Sequence, residues 1–139
     1  MGCFELRVNT TFDAAHYLRN YEGKCSRLHG HTWKVEVAVA GTEVDERGMV
    51  IDFLDIKGIL REITGGFDHT LLNDVPPFCG GEGKGLNPTA ENLARLIFEE
   101  LEKKLKEVAP AVYPVAVQVW ESDSSSVIYR GSRGRDAAT

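Results

Sequence analysis

The chain has 139 residues, 42% hydrophobic and 27% charged, an ordinary globular composition with room for one core. Its formal net charge of −5, with no basic stripe, speaks against nucleic acid as the main partner, and no apolar run approaches a membrane span. The three cysteines, Cys3, Cys25 and Cys79, are odd in number and irregularly spaced, which predicts free thiols in a reducing, cytoplasmic compartment and no disulfide framework.

The first residues already alternate like a strand and lack the apolar stretch of a signal peptide. From Phe4 to His16 the residues Phe4, Leu6, Val8, Phe12, Ala14 and His16 share one side against Glu5, Arg7, Asn9 and Asp13, the pattern of a half-buried strand. Thr32 to Gly41 alternates again, with Trp33, Val35, Val37 and Val39 opposite Lys34 and Glu36. A short strand is expected at Met49 to Ile51, after the turn residues Asp45 to Gly48. Asp52 then reads as a helix N-cap, followed by Ile56, Ile59, Leu60 and Ile63 at helical spacing and a Gly65-Gly66 stop.

A second helix opens near Pro88-Thr89-Ala90-Glu91, with Leu93, Leu96, Ile97, Leu101, Leu105 and Val108 as its buried stripe and Pro110 just past its end. Strands at Val115 to Glu121 and Val127 to Arg130 complete the order β-β-(β)-α-α-β-β. No interdomain linker is visible, so residues 1–130 are expected to form one domain. Two segments look poorly ordered: the glycine-rich stretch Cys79 to Gly85, read as a mobile surface loop, and a small, polar tail over 131–139.

Three of the four histidines fall where the first two strands meet. His29 and His31 are two apart and share the parity of Trp33, while His16 shares that of Phe12, so all three lie on apolar faces. Antiparallel pairing of the two strands would bring them together. Three neutral imidazoles with a vacant fourth position make a catalytic zinc site, whereas a structural site would want a fourth ligand, for which Cys25 is the nearby candidate.

Cys25 lies in the connecting loop between Lys24 and Arg27, and a thiol near cations and a dication is a usable base or nucleophile. Asp68 and His69 are adjacent; a carboxylate can orient an imidazole, but only if the two sit in a turn or helical segment. Glu121 ends a strand on the side of three valines, where an arginine, backbone amides or a ligand would have to satisfy it. A flat heterocycle with two parallel N–H groups is one such ligand.

In chain order, Phe12-Asp-Ala-Ala-His16, Cys25-Ser-Arg-Leu-His-Gly-His31, Gly48-Met-Val-Ile-Asp-Phe53, Asp68-His69 with Leu72-Asn73, Asn87-Pro-Thr-Ala-Glu91 and Trp120-Glu121 resemble the family of 6-pyruvoyl- and 6-carboxy-tetrahydropterin synthases. The likeness spans nearly the whole chain, up to Tyr129-Arg-Gly131. It implies an α+β tunnelling (T) fold, an antiparallel sheet with two helices packed on one face in β-β-α-α-β-β order. Trimers or hexamers with active sites between subunits are implied as well.

By the same resemblance His16, His29 and His31 bind zinc, and Cys25, Asp68 and His69 move protons. Glu121 anchors the pterin edge with help from Thr89 and Glu91, and the substrate is 7,8-dihydroneopterin triphosphate. The short Cys-x-x-x-His-x-His spacing looks like the 6-carboxy branch, whose product enters queuosine synthesis. Members that carry glutamate in place of the cysteine act on dihydroneopterin; Cys25 argues against that reading.

Overall fold

The computed structural model describes residues 2–80 and 85–132. Two 13-residue strands, β1 (Phe4–His16) and β2 (His29–Gly41), form an unbroken antiparallel ladder from Phe4 opposite Gly41 to His16 opposite His29. Helix α1 (Phe53–Gly65) follows, then the two-residue strand β3 (Thr70–Leu71), helix α2 (Ala90–Val108), and strands β4 (Tyr113–Ser122) and β5 (Ser125–Arg130). The sheet order is β3-β1-β2-β4-β5, antiparallel throughout except that β3 runs parallel to β1.

Both helices cover the same sheet face. Val8, Phe12, Trp33, Val35, Val37, Val117 and Val119 from the strands join Ile56, Leu60, Leu93, Ile97 and Leu101 from the helices in one buried cluster. That burial is the main driving force for the fold, at roughly 1.5–3 kcal/mol for each large apolar side chain removed from water. The two helix starts match their sequence signals. Asp52 accepts from the Leu54 N–H at 2.8 Å and Thr89 from the Asn92 N–H at 3.1 Å, satisfying donors that a helix start leaves orphaned.

Several expectations need correction. No strand forms at Met49–Ile51. The Asp45 carboxylate accepts the N–H groups of Arg47 and Met49 at 2.8 and 3.1 Å, closing this segment into a turn, and both edges of β2 are already occupied by β1 and β4. The additional strand is β3 instead, too short to show any periodicity. Val108 is 57% exposed at the last helical position, whereas Ala94 and Phe98 are buried and complete the apolar stripe of α2.

Gly131 still belongs to the packed structure: its N–H donates to the Val115 carbonyl at 3.4 Å, and a Cβ there would collide with the Phe98 ring. The remainder of the expected tail, 133–139, and most of the expected glycine-rich loop, 81–84, lie outside the described residues.

Candidate metal centre and active site

The ladder register decides the geometry of the histidines. His16 and His29 are direct cross-strand partners and His31 lies opposite Ala14, so all three side chains emerge on the helix-covered face at one end of the sheet. Their ring centroids are 4.6 Å (His16–His29), 4.7 Å (His29–His31) and 5.2 Å (His16–His31) apart. Trp33 forms the apolar floor, its ring edge-on to His16 at 4.9 Å and to His31 at 5.4 Å, with its N–H donating to the Ala14 carbonyl.

Backbone carbonyls fix two of the rings. Nδ1 of His16 is 2.7 Å from the Pro88 carbonyl and Nδ1 of His29 is 2.6 Å from the Arg27 carbonyl. A carbonyl only accepts, so each Nδ1 carries the hydrogen and each Nε2 keeps a free lone pair. Among the described residues, Nε2 of His16 and Nε2 of His31 are buried and have no hydrogen-bond partner. An orphaned buried nitrogen is costly unless something else binds it.

Burial is the leading cause that pushes the basicity of His16 and His31 below the ordinary histidine value of 6.5. Both rings therefore favour the neutral form that metal ligation requires. The donor set fits a zinc ion: three imidazoles whose ligand atoms lie, together with a carboxylate oxygen of Glu121, within 4.8 Å of one another.

Glu121 follows Trp120, which pairs with Lys34, so it shares the face of Val119, Trp33 and His31, at an irregularity in the β4–β5 pairing between Trp120 and Ser122. Its Oε1 is 3.2 Å from Nε2 of His31, within ion-pair distance although not aligned as a hydrogen bond, and its side chain stays one-third exposed. The carboxylate thus faces the histidines with an edge open to a ligand.

Cys25 lies on a single 3-10 turn, Lys24–Ser26, whose Cys25 carbonyl accepts the Leu18 N–H at 2.8 Å. That bond holds the turn beside the segment leaving His16. The thiol is half-buried and is not a member of the histidine–glutamate group. A Cβ at Gly30 would meet no atom within 4 Å, so the glycine between the two histidines is not there because of crowding. Thr89 caps α2 one residue beyond the carbonyl that holds His16, and Glu91 is exposed in the first turn of that helix.

Asp68 and His69 do meet, because the chain turns sharply between α1 and β3. His69 has a left-handed φ of 59°, and the turn brings its Nδ1 to 3.0 Å from Oδ2 of Asp68. Asp13 braces the turn from β1: its N–H donates to Oδ1 of Asp68 at 2.9 Å and its carbonyl accepts the His69 N–H at 2.6 Å. Both side chains face solvent. His69 and His31 are both among the residues that line a shallow cleft of about 450 Å³ over the ends of β1 and β2.

The Asp68 hydrogen bond is the main cause that raises the His69 basicity above 6.5, while the Asp13 N–H and then His69 hold Asp68 below its ordinary 3.8. The signs follow from linkage. His69 contributes stability that is complete below its unfolded value and is lost as pH rises through the raised folded one. Asp68 contributes stability above its unfolded value that is lost as pH falls through the lowered folded one. The charged pair therefore persists across the interval between the two. In an NMR titration His69 is expected to titrate above 6.5 and to fall back in Asp68→Asn; identical midpoints in the two proteins would remove the coupling.

Fold and centre together define a T-fold protein with a histidine-rich site at one end of its β1–β2 ladder. The chain belongs to the 6-pyruvoyl tetrahydropterin synthase family, whose family model matches residues 5–132. A Bacillus subtilis protein named 6-carboxy-5,6,7,8-tetrahydropterin synthase is 36% identical over 132 residues, covering 94% of this chain and 88% of the relative. A Dictyostelium discoideum protein named 6-pyruvoyl tetrahydrobiopterin synthase is 35% identical over 111 residues, covering 78% and 75%. The structure of Caenorhabditis elegans 6-pyruvoyl tetrahydropterin synthase superposes with a TM-score of 0.77 at 30% identity, over 95% of this chain and 98% of that one.

The structure brings His16, His29 and His31 together with Glu121, and Asp68 to His69, leaving Cys25 outside both groups; the carbonyls of Arg27 and Pro88 that orient two of the rings had no sequence signal. No side-chain signal marks a backbone carbonyl.

Proposed function

We propose that this chain is a zinc-dependent 6-carboxy-tetrahydropterin synthase. It converts 7,8-dihydroneopterin triphosphate and one water into 6-carboxy-tetrahydropterin, acetaldehyde and triphosphate, for queuosine and related 7-deazaguanine synthesis. The observation that carries the reading is the pair of orphaned, buried Nε2 atoms converging beside His29 and Glu121, in a chain whose Bacillus subtilis relative bears that name.

His16, His29 and His31 would hold the zinc through Nε2. When bound, the ion supplies a Lewis acid that acidifies C–H and O–H groups beside the side-chain hydroxyls it draws in. Cys25 as thiolate takes a carbon-bound proton, and His69, oriented by Asp68, moves a second one. Glu121 accepts two parallel N–H bonds from the pterin's 2-amino group and ring N–H. Thr89 keeps its hydroxyl hydrogen free while its oxygen caps α2, so it and Glu91 assist from the helix start.

The domain takes in residues 1–130 and acts in the cytoplasm; no helix among the described residues is long and apolar enough to cross a membrane. Among the described residues, its outer strands, β5 and most of β1, carry unpaired edges. Assembly into trimers or hexamers would cover those edges and let the exposed Asp68–His69 pair serve a neighbouring subunit's site.

Glu121→Ala is expected to weaken pterin binding by at least tenfold, the order expected from losing a charge-assisted, two-point contact, while one zinc per chain remains. Unchanged pterin affinity in a titration would refute the anchor role, and loss of zinc would make Glu121 a ligand instead.

Incubation of the zinc-loaded protein with dihydroneopterin triphosphate tests the reaction itself. Acetaldehyde and triphosphate in equal amounts are expected. Triphosphate without acetaldehyde would favour the 6-pyruvoyl reading, which the Dictyostelium relative also supports. No turnover would leave a pterin-binding module.

A further inference from the structure

Beyond His16 the β1–β2 ladder ends, yet the next three residues are held almost as regularly as a strand. The Tyr17 N–H donates to Oδ1 of Asn73 at 3.0 Å, and Nδ2 of Asn73 returns a bond to the Tyr17 carbonyl at 3.0 Å. Two residues on, the pattern repeats. The Arg19 N–H donates to Oδ1 of Asn87 at 2.7 Å and Nδ2 of Asn87 donates to the Arg19 carbonyl at 2.9 Å. A side-chain amide offers a donor and an acceptor side by side, as a strand's backbone does.

The Arg19 side chain adds to this. Its guanidinium donates to the Leu86 carbonyl at 3.0 Å and to the Phe78 carbonyl at 2.7 Å, tying these two points of the chain together. Asn92 completes the ring of bonds by donating from Nδ2 to the Asn87 carbonyl at 2.9 Å. The next carbonyl in the chain, that of Pro88, is the one that meets Nδ1 of His16.

We propose that Asn73, Asn87 and Arg19 are positioning residues that hold His16 in the tautomer and orientation of a metal ligand, by clamping the segment carrying the Pro88 carbonyl onto the segment that follows His16. The coupling is geometric. His16 is 1% exposed, so its Nδ1–H has no water to turn to if the Pro88 carbonyl drifts. The ring would then repartition toward the tautomer protonated at Nε2, which cannot ligate through that atom. Asn73, one of three buried polar residues among those described, together with His16 and Thr64, is well placed for this: its amide is shielded from competing water.

The inference rests on the zinc reading for its affinity readout, but not for its second readout. Zinc affinity is measured by competition with a chromophoric chelator, and the His16 tautomer by 15N–1H correlation of the imidazoles in the metal-free protein. Thermal unfolding of the metal-free protein monitors the fold. Wild type is expected to show His16 as the single Nδ1–H tautomer. Asn87→Ala is expected to keep the fold, to show a mixed tautomer, and to lose zinc affinity by roughly 10- to 100-fold, the usual loss when the partner that orients a ligating histidine is removed.

If Asn87→Ala does not fold, Asn87→Asp and Arg19→Met take its place. The first keeps the acceptor for the Arg19 N–H but sets a carboxylate oxygen against the Arg19 carbonyl in place of the donor; the second removes the grip on Leu86 and Phe78. Both are expected to give intermediate losses. Folded variants that retain wild-type affinity and a single Nδ1–H tautomer would overturn the proposal. Should wild type itself take up no zinc, the metal reading falls, and the tautomer comparison alone decides whether the clamp acts on His16.

Discussion

Zinc is expected to leave the His31→Ala variant under dialysis conditions in which the parent protein keeps one ion per chain, and turnover is expected to go with it. Two imidazoles remain in that variant beside Glu121, a one-third-exposed carboxylate assigned to the pterin, so the centre falls below the three protein ligands that a catalytic zinc site uses. The loss should exceed the roughly 10- to 100-fold typical of an outer-shell partner, because a ligand itself is gone.

The same substitution should do little harm to the metal-free fold. Nε2 of His31 is buried without a hydrogen-bond partner, and removing an unsatisfied polar atom relieves a desolvation cost. Metal-free His31→Ala is therefore expected to melt no lower than the metal-free parent. This combination separates a ligand from a structural histidine. Metal analysis that finds stoichiometric zinc in the variant would sink the assignment. So would a metal-free variant destabilised by several kcal/mol, the size expected for a core truncation.

Which parts of this were legible in the sequence depends on how local their causes are. Strand parity is a two-residue property, so the faces of His16, His29 and His31 could be read from Phe12 and Trp33 directly. Helix starts are equally local, and Asp52 and Thr89 cap where their spacing predicts. The register that sets His16 opposite His29 is not local. Twelve residues separate the two strands, too many for a turn type to dictate the pairing.

Glu121 shows a different limit. Its parity with Val117 and Val119 puts it on the face of Trp33 and His31, as the β2–β4 register has it, but parity does not reveal that this end of β4 leaves the side chain one-third exposed. The segment at Met49–Ile51 failed for a related reason: Ile51 is needed by the core, at 8% exposed, but β2, the strand it follows, has both edges taken by β1 and β4. The clamp around Asn73 and Asn87 was visible only as motif letters, since a side-chain amide shows no periodicity that would reveal its partner.

Cys25→Ala is expected to lower turnover by about 10²- to 10⁴-fold, the range that removing a positioned acid–base group typically produces, while zinc content and pterin affinity stay at parent values. The separation follows from where the residue sits. Its turn is fastened to Leu18 by a backbone bond that alanine preserves, so the position of the chain beside His16 does not depend on the thiol. Its sulfur lies outside the group of mutually close ligand atoms formed by His16, His29, His31 and Glu121, so the metal loses no donor.

Serine at the same position offers a group of similar size but a far poorer base, and is expected to behave like alanine. A single-turnover experiment in which Cys25→Ala matches the parent rate removes the thiol from the chemistry. A tenfold or larger fall in zinc affinity of the same variant would instead move Cys25 into the coordination sphere. The two failures point to different sites of error, one in the proton transfer and the other in the metal set, because the thiol is not among the mutually close ligand atoms of the histidines and Glu121.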